Sequence, residues 1–209
     1  MSETDYHQVV EIKAHQAIPG RDFTHPAYIP FDERILKYML LRVSKLVTKS
    51  FKTSIPDVVE EREFDGRNHR LMLLNRRALL DETPLSLVGF FGHKRPQADP
   101  LPMVKMDKAL REELKTHAGI LSYSSMELTC GNYANCVILK DEEAKLHWAR
   151  SQNHKQTAEI DAPSYYYSVR IYNGRLPFGL PQSERLQLNV IKYYHYERQP
   201  VWQAVRSLE

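Results

Sequence analysis

Cysteine is scarce in this chain, with two residues among 209. Cys130 and Cys136 flank an expected turn. They match no zinc-ligand spacing and build no disulfide framework, which fits a reducing, cytoplasmic setting. Glycine is sparse too, and neither phosphate-cradling pattern, G-x-G-x-x-G or G-x-x-x-x-G-K-[ST], occurs. H-E-x-x-H, C-x-x-C and G-x-S-x-G are also missing, which argues against zinc proteases, thioredoxin-like redox proteins and α/β-hydrolases. No long hydrophobic run exists. The most apolar stretch, residues 35 to 48, is broken by Lys37, Arg42, Ser44 and Lys45, so no membrane span is expected. The opening MSETDYHQ carries neither the basic nor the apolar part of a secretory leader. A strong charge of one sign is lacking as well: the net charge is +3. The short basic groups Arg76-Arg77, Lys94-Arg95 and Lys105/Lys108/Arg111 have acids nearby. That is a solvated mixed surface rather than one built for nucleic acid, and the aromatic-basic strand signature of RNA-binding sheets is absent.

What is present is enough apolar material for a sizeable core and a readable order of elements. Residues 1 to 30 read as an arm punctuated by Pro19-Gly20, Pro26 and Pro30, with a short strand at Val9–Lys13. Phe31 opens a helix with Ile35, Tyr38, Met39, Arg42 and Leu46 at helical spacing, and it should stop before Pro56. Residues 57 to 84 are ambiguous between strand and helix. From Leu85 the pattern is regular. LSLVGFFGH reads as a strand, and KMDKALREELKTH as an amphipathic helix with Met106, Leu110 and Leu114 on one stripe. Two strands follow around Gly131-Asn132, then a helix capped by Asp141, then the strand SYYYSVRIYN. LQLNVIKYYHY alternates as one further strand before a short tail. This is an α+β chain: a ferredoxin-like antiparallel sheet (β-α-β-β-α-β plus an extra strand) over residues 85–209, with an N-terminal helical extension over 1–84.

The strands are apolar on both faces. Tyr165, Tyr167, Val169 and Ile171 alternate with Tyr166, Ser168, Arg170 and Tyr172. A face that meets water should be polar. Both faces should therefore be covered, one by helices and the other by a second subunit in a homodimer; the N-terminal arm and helix are the alternative cover.

The helix after Asp141 is unusual. On one continuous helix Ala144, His147, Trp148, Ser151, His154, Lys155 and Ala158 share a stripe, where a core helix would carry leucines. One reading makes Trp148 a packing anchor and leaves the histidines and Ser151 hydrogen-bonded to backbone. The other makes His147 and His154 acid or base toward a phenolic substrate, with Tyr165, Tyr167 and Tyr172 lining a pocket. The tyrosines are also simply good strand residues. Gly89-x-x-Gly92-His93 sits where it would shape a pocket rim, although His93 also reads as a turn histidine beside cations. His7, His15, His25, His69, His117 and His195 are scattered without ligand spacing. Tyr193, Tyr194, Tyr196 and Trp202 read as an interface patch or the anchor of the extra strand.

The strand YANCVILKD, then Trp148-x-x-Ser151-x-x-His154-x-x-x-Ala158, then a strand after a proline loop, resembles the dimeric α/β-barrel superfamily. That group includes antibiotic-biosynthesis-type and haem-degrading monooxygenases and chlorite-dismutase-like proteins. The resemblance covers Leu85 to Gly174. It implies a cleft beneath the His147–Ala158 helix for a small hydrophobic or aromatic substrate. In haem-degrading members a histidine near the end of this helix ligates iron, and His154 is the matching position; Arg170 would meet a propionate or bound oxygen, and Trp148 would pack on the macrocycle. Other members bind no metal. The 84-residue extension departs from the compact members. The two readings are a monooxygenase-like oxidative enzyme and a non-catalytic ligand-binding or scaffold protein of the same fold.

Overall fold

The alternation read from Leu85 onward folds into the middle of a larger sheet. The computed structural model describes residues 9–63, 65–81, 83–197 and 200–208. Its central strands are β4 (Leu85–Lys94), β5 (Ile120–Glu127), β6 (Tyr133–Leu139) and β7 (Tyr166–Leu176). They lie side by side in the order β7-β4-β6-β5, all antiparallel. With helix α3 (Pro100–Thr116) between β4 and β5, and a helical segment between β6 and β7, this is the ferredoxin-like order. Asp99 caps α3, its side chain accepting from the Leu101 N–H at 3.0 Å. Leu110 and Leu114 are buried as the stripe requires, while the side chain of Met106 lies outside the described residues.

Both edges are extended. The ambiguous stretch 57–84 supplies a hairpin, β2 (Val58–Arg62) and β3 (Asn68–Leu73), on the β5 edge, followed by the short helix α2 (Arg76–Leu80). On the β7 edge, β8 (Gln187–His195) is the expected extra strand. The tail then forms β9 (Trp202–Ser207), and β1 (Val10–Glu11) pairs with it in parallel. Among the described residues, strands from both sides of residue 84 belong to one nine-stranded sheet.

Helix α1 (Tyr28–Ser50) lies across one face of that sheet and buries Leu36, Met39, Leu40, Val43, Leu46 and Val47. They join Leu87, Phe91, Cys136, Ile138 and Tyr172 in the main core. The helix starts at Tyr28 rather than Phe31, because Pro30 falls in the first turn, where its missing N–H costs nothing. Of the two covers expected for this face, the N-terminal arm and helix are thus the one in place. Gly89 and Gly92 sit inside β4 rather than at a rim. A Cβ on Gly89 would lie 2.9 Å from the Leu36 side chain, and one on Gly92 would lie 2.3 Å from the Tyr166 ring. Both positions serve close packing.

Candidate functional site

The stripe of histidines does not form one helix. Asp141 caps α4 (Glu142–Ala149), its Oδ1 accepting from the Ala144 N–H at 2.8 Å. The chain then breaks at Ser151, whose Oγ accepts from the His154 N–H at 3.2 Å and starts a new helix, α5 (Gln152–Gln156). A π-helical turn (Thr157–Asp161) and α6 (Ala162–Tyr165) complete the segment. Ser151 is therefore a cap, and Lys155 and Ala158 point to solvent. Tyr165 ends α6 and packs edge-on against Tyr166, their centroids 4.9 Å apart.

Trp148 and Ala144 do face the sheet. Trp148 is 7% exposed and shares a cluster with Leu110, Leu114, Tyr123 and Val137, which fill the space beneath α4. His154 lies against the indole at 4.5 Å between centroids, and burial holds its imidazole below the usual value against the opposing pull of Glu113. A haem does not fit here. The ring that would ligate iron leans on the Trp148 indole, tilted by 42°, and Leu110, Leu114, Tyr123 and Val137 pack around that indole beneath α4.

Arg170 lies on the opposite face. The inward residues of β7 on the α1 side are Ser168, Arg170 and Tyr172. Arg170 donates to Asp32 of α1 through Nε to Oδ2 at 2.7 Å and Nη2 to Oδ1 at 3.0 Å. Tyr172 donates its hydroxyl to Asp32 Oδ2 at 2.7 Å. Burial pushes the Asp32 carboxyl up against the pull of Arg170, whereas at the guanidinium the charge and hydrogen bonds of Asp32 outweigh burial and hold its value up. The two ends of the pair thus pull differently; the bidentate geometry identifies it as charged. Tyr28 covers the guanidinium face at 4.3 Å.

The network continues to the surface. Arg170 Nη1 lies 3.1 Å from His93 Nε2, and since a guanidinium only donates, that nitrogen carries the lone pair. Its proton sits on Nδ1, which donates to the Tyr167 hydroxyl at 3.0 Å. Tyr167 is half-buried on the register shift opposite His93 and Lys94. Burial, then the Arg170 charge, pull the His93 imidazole down to about 4. Its unfolded value is about 6.5, so the depressed group stabilises the fold fully above that pH and loses its contribution as pH falls toward 4. The loss should reach about 3 kcal/mol across this window. Urea unfolding at pH 7.5 and 4.5 should show a smaller acid loss in His93→Gln than in the wild-type chain, by about that amount. Equal losses would contradict a neutral, buried His93.

The remaining residue of the stripe, His147, opens onto a groove of about 510 Å³ between the C-terminal end of α3 and α4. Gly119 lines it, and a Cβ there would lie 2.4 Å from Ala144 Cβ, so only glycine lets α4 approach this closely. His117 terminates α3. The Gly119 N–H donates to His117 Nδ1 at 3.3 Å, which puts the ring proton on Nε2; that N–H donates to His147 Nδ1 at 2.9 Å. Burial, then the neighbouring His147, hold His117 below its usual value. Glu113, Asp141, Glu143 and Ser151 complete the wall. Glu113 Oε2 is buried without a hydrogen-bond partner, as is Trp148 Nε1.

The eight residues singled out in the sequence thus fall into separate places. His147 and Ser151 meet in the groove, with the tilted ring pair of Trp148 and His154 beside it. Arg170, Tyr167 and Tyr172 join a network across the sheet, and Tyr165 packs under α6. Asp32, His93, Glu113 and His117 were not among them. The available signals were weak: Asp32 reads as an ordinary helix N-terminal acid, and Glu113 and His117 stand four apart at the end of an amphipathic helix.

No family model matches the sequence, and no curated protein matches it. Among solved structures, the chain is similar to protein SO0527 from Shewanella oneidensis, with 9% identity, TM-score 0.40, and coverage of 46% of this chain and 93% of that one. It is also similar to the haem-degrading enzyme LmHde from Listeria monocytogenes, with 13% identity, TM-score 0.35, and coverage of 56% and 81%. A third is a ferredoxin-fold protein related to antibiotic biosynthesis monooxygenases, from Listeria monocytogenes 4b F2365, with 11% identity, TM-score 0.34, and coverage of 62% and 87%. The ferredoxin-like assignment stands on the sheet order. No helix among the described residues is long and apolar enough to cross a membrane.

Proposed function

We propose that this is a non-catalytic ligand-binding protein on a monooxygenase-like, ferredoxin-type fold, and that it takes a small polar ligand into the groove between α3 and α4. The observation that carries this reading is Trp148. Its indole, with Leu110, Leu114, Tyr123 and Val137, occupies the volume that an oxidative cleft beneath the helix would need. Histidine chemistry at His154 would require an open cavity at its ring, and Arg170 is committed to Asp32 on the far face. The groove, by contrast, offers what a binding site needs: a concave wall, two facing imidazoles, carboxylates and hydroxyls within one pocket.

The test is a backbone-amide NMR screen of the full chain with small carboxylic acids, amines and phenols. Saturable shifts centred on Gly119, Ala144, His147 and Ser151 are the expected result. Shifts gathered instead around Arg95 to Asp99 and Ser164, where a second hollow of about 450 Å³ opens, would move the site. No saturable shift with any class would overturn the binding reading.

A further inference from the structure

We propose that the groove holds a divalent transition-metal ion between His117 and His147, an inference that rests on the groove being the binding site. His117 Nε2 and His147 Nδ1 face each other at 2.9 Å. Each bond from zinc to an imidazole nitrogen is about 2.0–2.1 Å, so a tetrahedral ion holds two such nitrogens about 3.3–3.4 Å apart. The pair therefore needs to open by only a few tenths of an ångström. The proton on His117 Nε2 is the group that the ion replaces. On binding the ring takes its other tautomer, with the proton on Nδ1, and the Nε2 lone pair becomes available to the ion beside that of His147 Nδ1.

The surroundings favour a cation. Glu113 stands one helical turn before His117 and lines the same groove, and its Oε2 is buried with no donor. An uncompensated buried carboxylate oxygen is costly and is relieved by a cation or a donor. Among the described residues, no three His, Cys, Asp or Glu side chains converge as they stand. The ion's protein ligands are accordingly the two imidazoles, with Glu113 reached by side-chain rotation and water in the open positions. Mixed imidazole and carboxylate donors suit zinc and its neighbours in the transition series rather than calcium. Binding through His117 Nε2 moves the ring proton to Nδ1 and gives up the long contact from the Gly119 N–H. The site is thus labile rather than structural.

The experiment is titration of the full, chelator-stripped chain with Co²⁺ in place of zinc, read by visible absorption and by amide NMR. Saturable, stoichiometric binding should shift Gly119 and Ala144 and vanish in His117→Ala and in His147→Ala. Glu113→Gln should weaken it by roughly 10–100-fold, the size seen when a partner of a metal site is removed. His25→Ala, in an exposed histidine away from the groove, should change nothing. Unchanged thermal melts would show that the variants fold. No saturable binding, or binding that survives loss of both histidines, overturns the metal. If the metal fails while small molecules still shift Gly119 and Ser151, the groove reading stands without it; if both fail, the groove reading falls too.

Discussion

Arg170→Ala should lower the free energy of unfolding by about 3–5 kcal/mol, because it leaves the Asp32 carboxylate buried beside α1 with no countercharge. Asp32 and Arg170 are 1% and 3% exposed, so water cannot take over the lost partner. Domains of this kind are stable by only about 5–15 kcal/mol, so a large part of the total is at stake. The damage should centre on α1. Arg170 and Tyr172 reach across from β7 to Asp32, near the first turn of that helix. Urea unfolding followed by circular dichroism gives the magnitude, and hydrogen exchange along residues 28–50 gives the location. Arg170→Met combined with Asp32→Leu should recover most of the loss, since a buried ion pair is often replaceable by apolar residues of similar volume. A single substitution that costs less than about 1 kcal/mol would show the pair to be solvated, contrary to its geometry.

Trp148→Ala should cost about 3–5 kcal/mol, the range for deleting a large buried aromatic. The indole is the keystone of the cluster between α3, α4 and the sheet, and it also carries the ring of His154. The effect should therefore be double: a drop in urea midpoint, and a His154 imidazole that titrates closer to its ordinary value once the indole that buries it is gone. A drop of less than 1 kcal/mol would mean that the space beneath α4 is loosely packed and open to a ligand.

The parts of the fold legible in the sequence are those whose signals are local. The alternation of β4 to β8, the turn at Gly131-Asn132, and the cap Asp141 act over a few residues, and the structure follows them. The strands β2 and β9 were hidden by their side chains. Val58–Arg62 is an edge strand rich in charge, and β9 places Arg206 inward, where alternation would demand an apolar residue. That arginine is fully buried and donates to the Thr24 carbonyl at 2.7 Å, which ties the N-terminal arm to the sheet. The break in the histidine helix came from Ser151, a good cap that also fits a continuous stripe. At the candidate site the pairings are long-range. Asp32 meets Arg170 from 138 residues away, and His147 meets His117 across two strands and a helix start. Nothing in a neighbouring pattern announces such contacts. A stripe of unusual residues marked the right segment, while the partners that define its chemistry lay elsewhere in the chain.

With the volume beneath the α4–α5 segment closed, binding belongs to the groove beside it. Titration of the purified chain with haem, followed at the Soret band, tests this most directly. Only weak, non-saturating change is expected, the same for the wild-type chain and His154→Ala. A sharp, saturable Soret band that is lost in His154→Ala would contradict it and return the protein to oxidative chemistry under the helix.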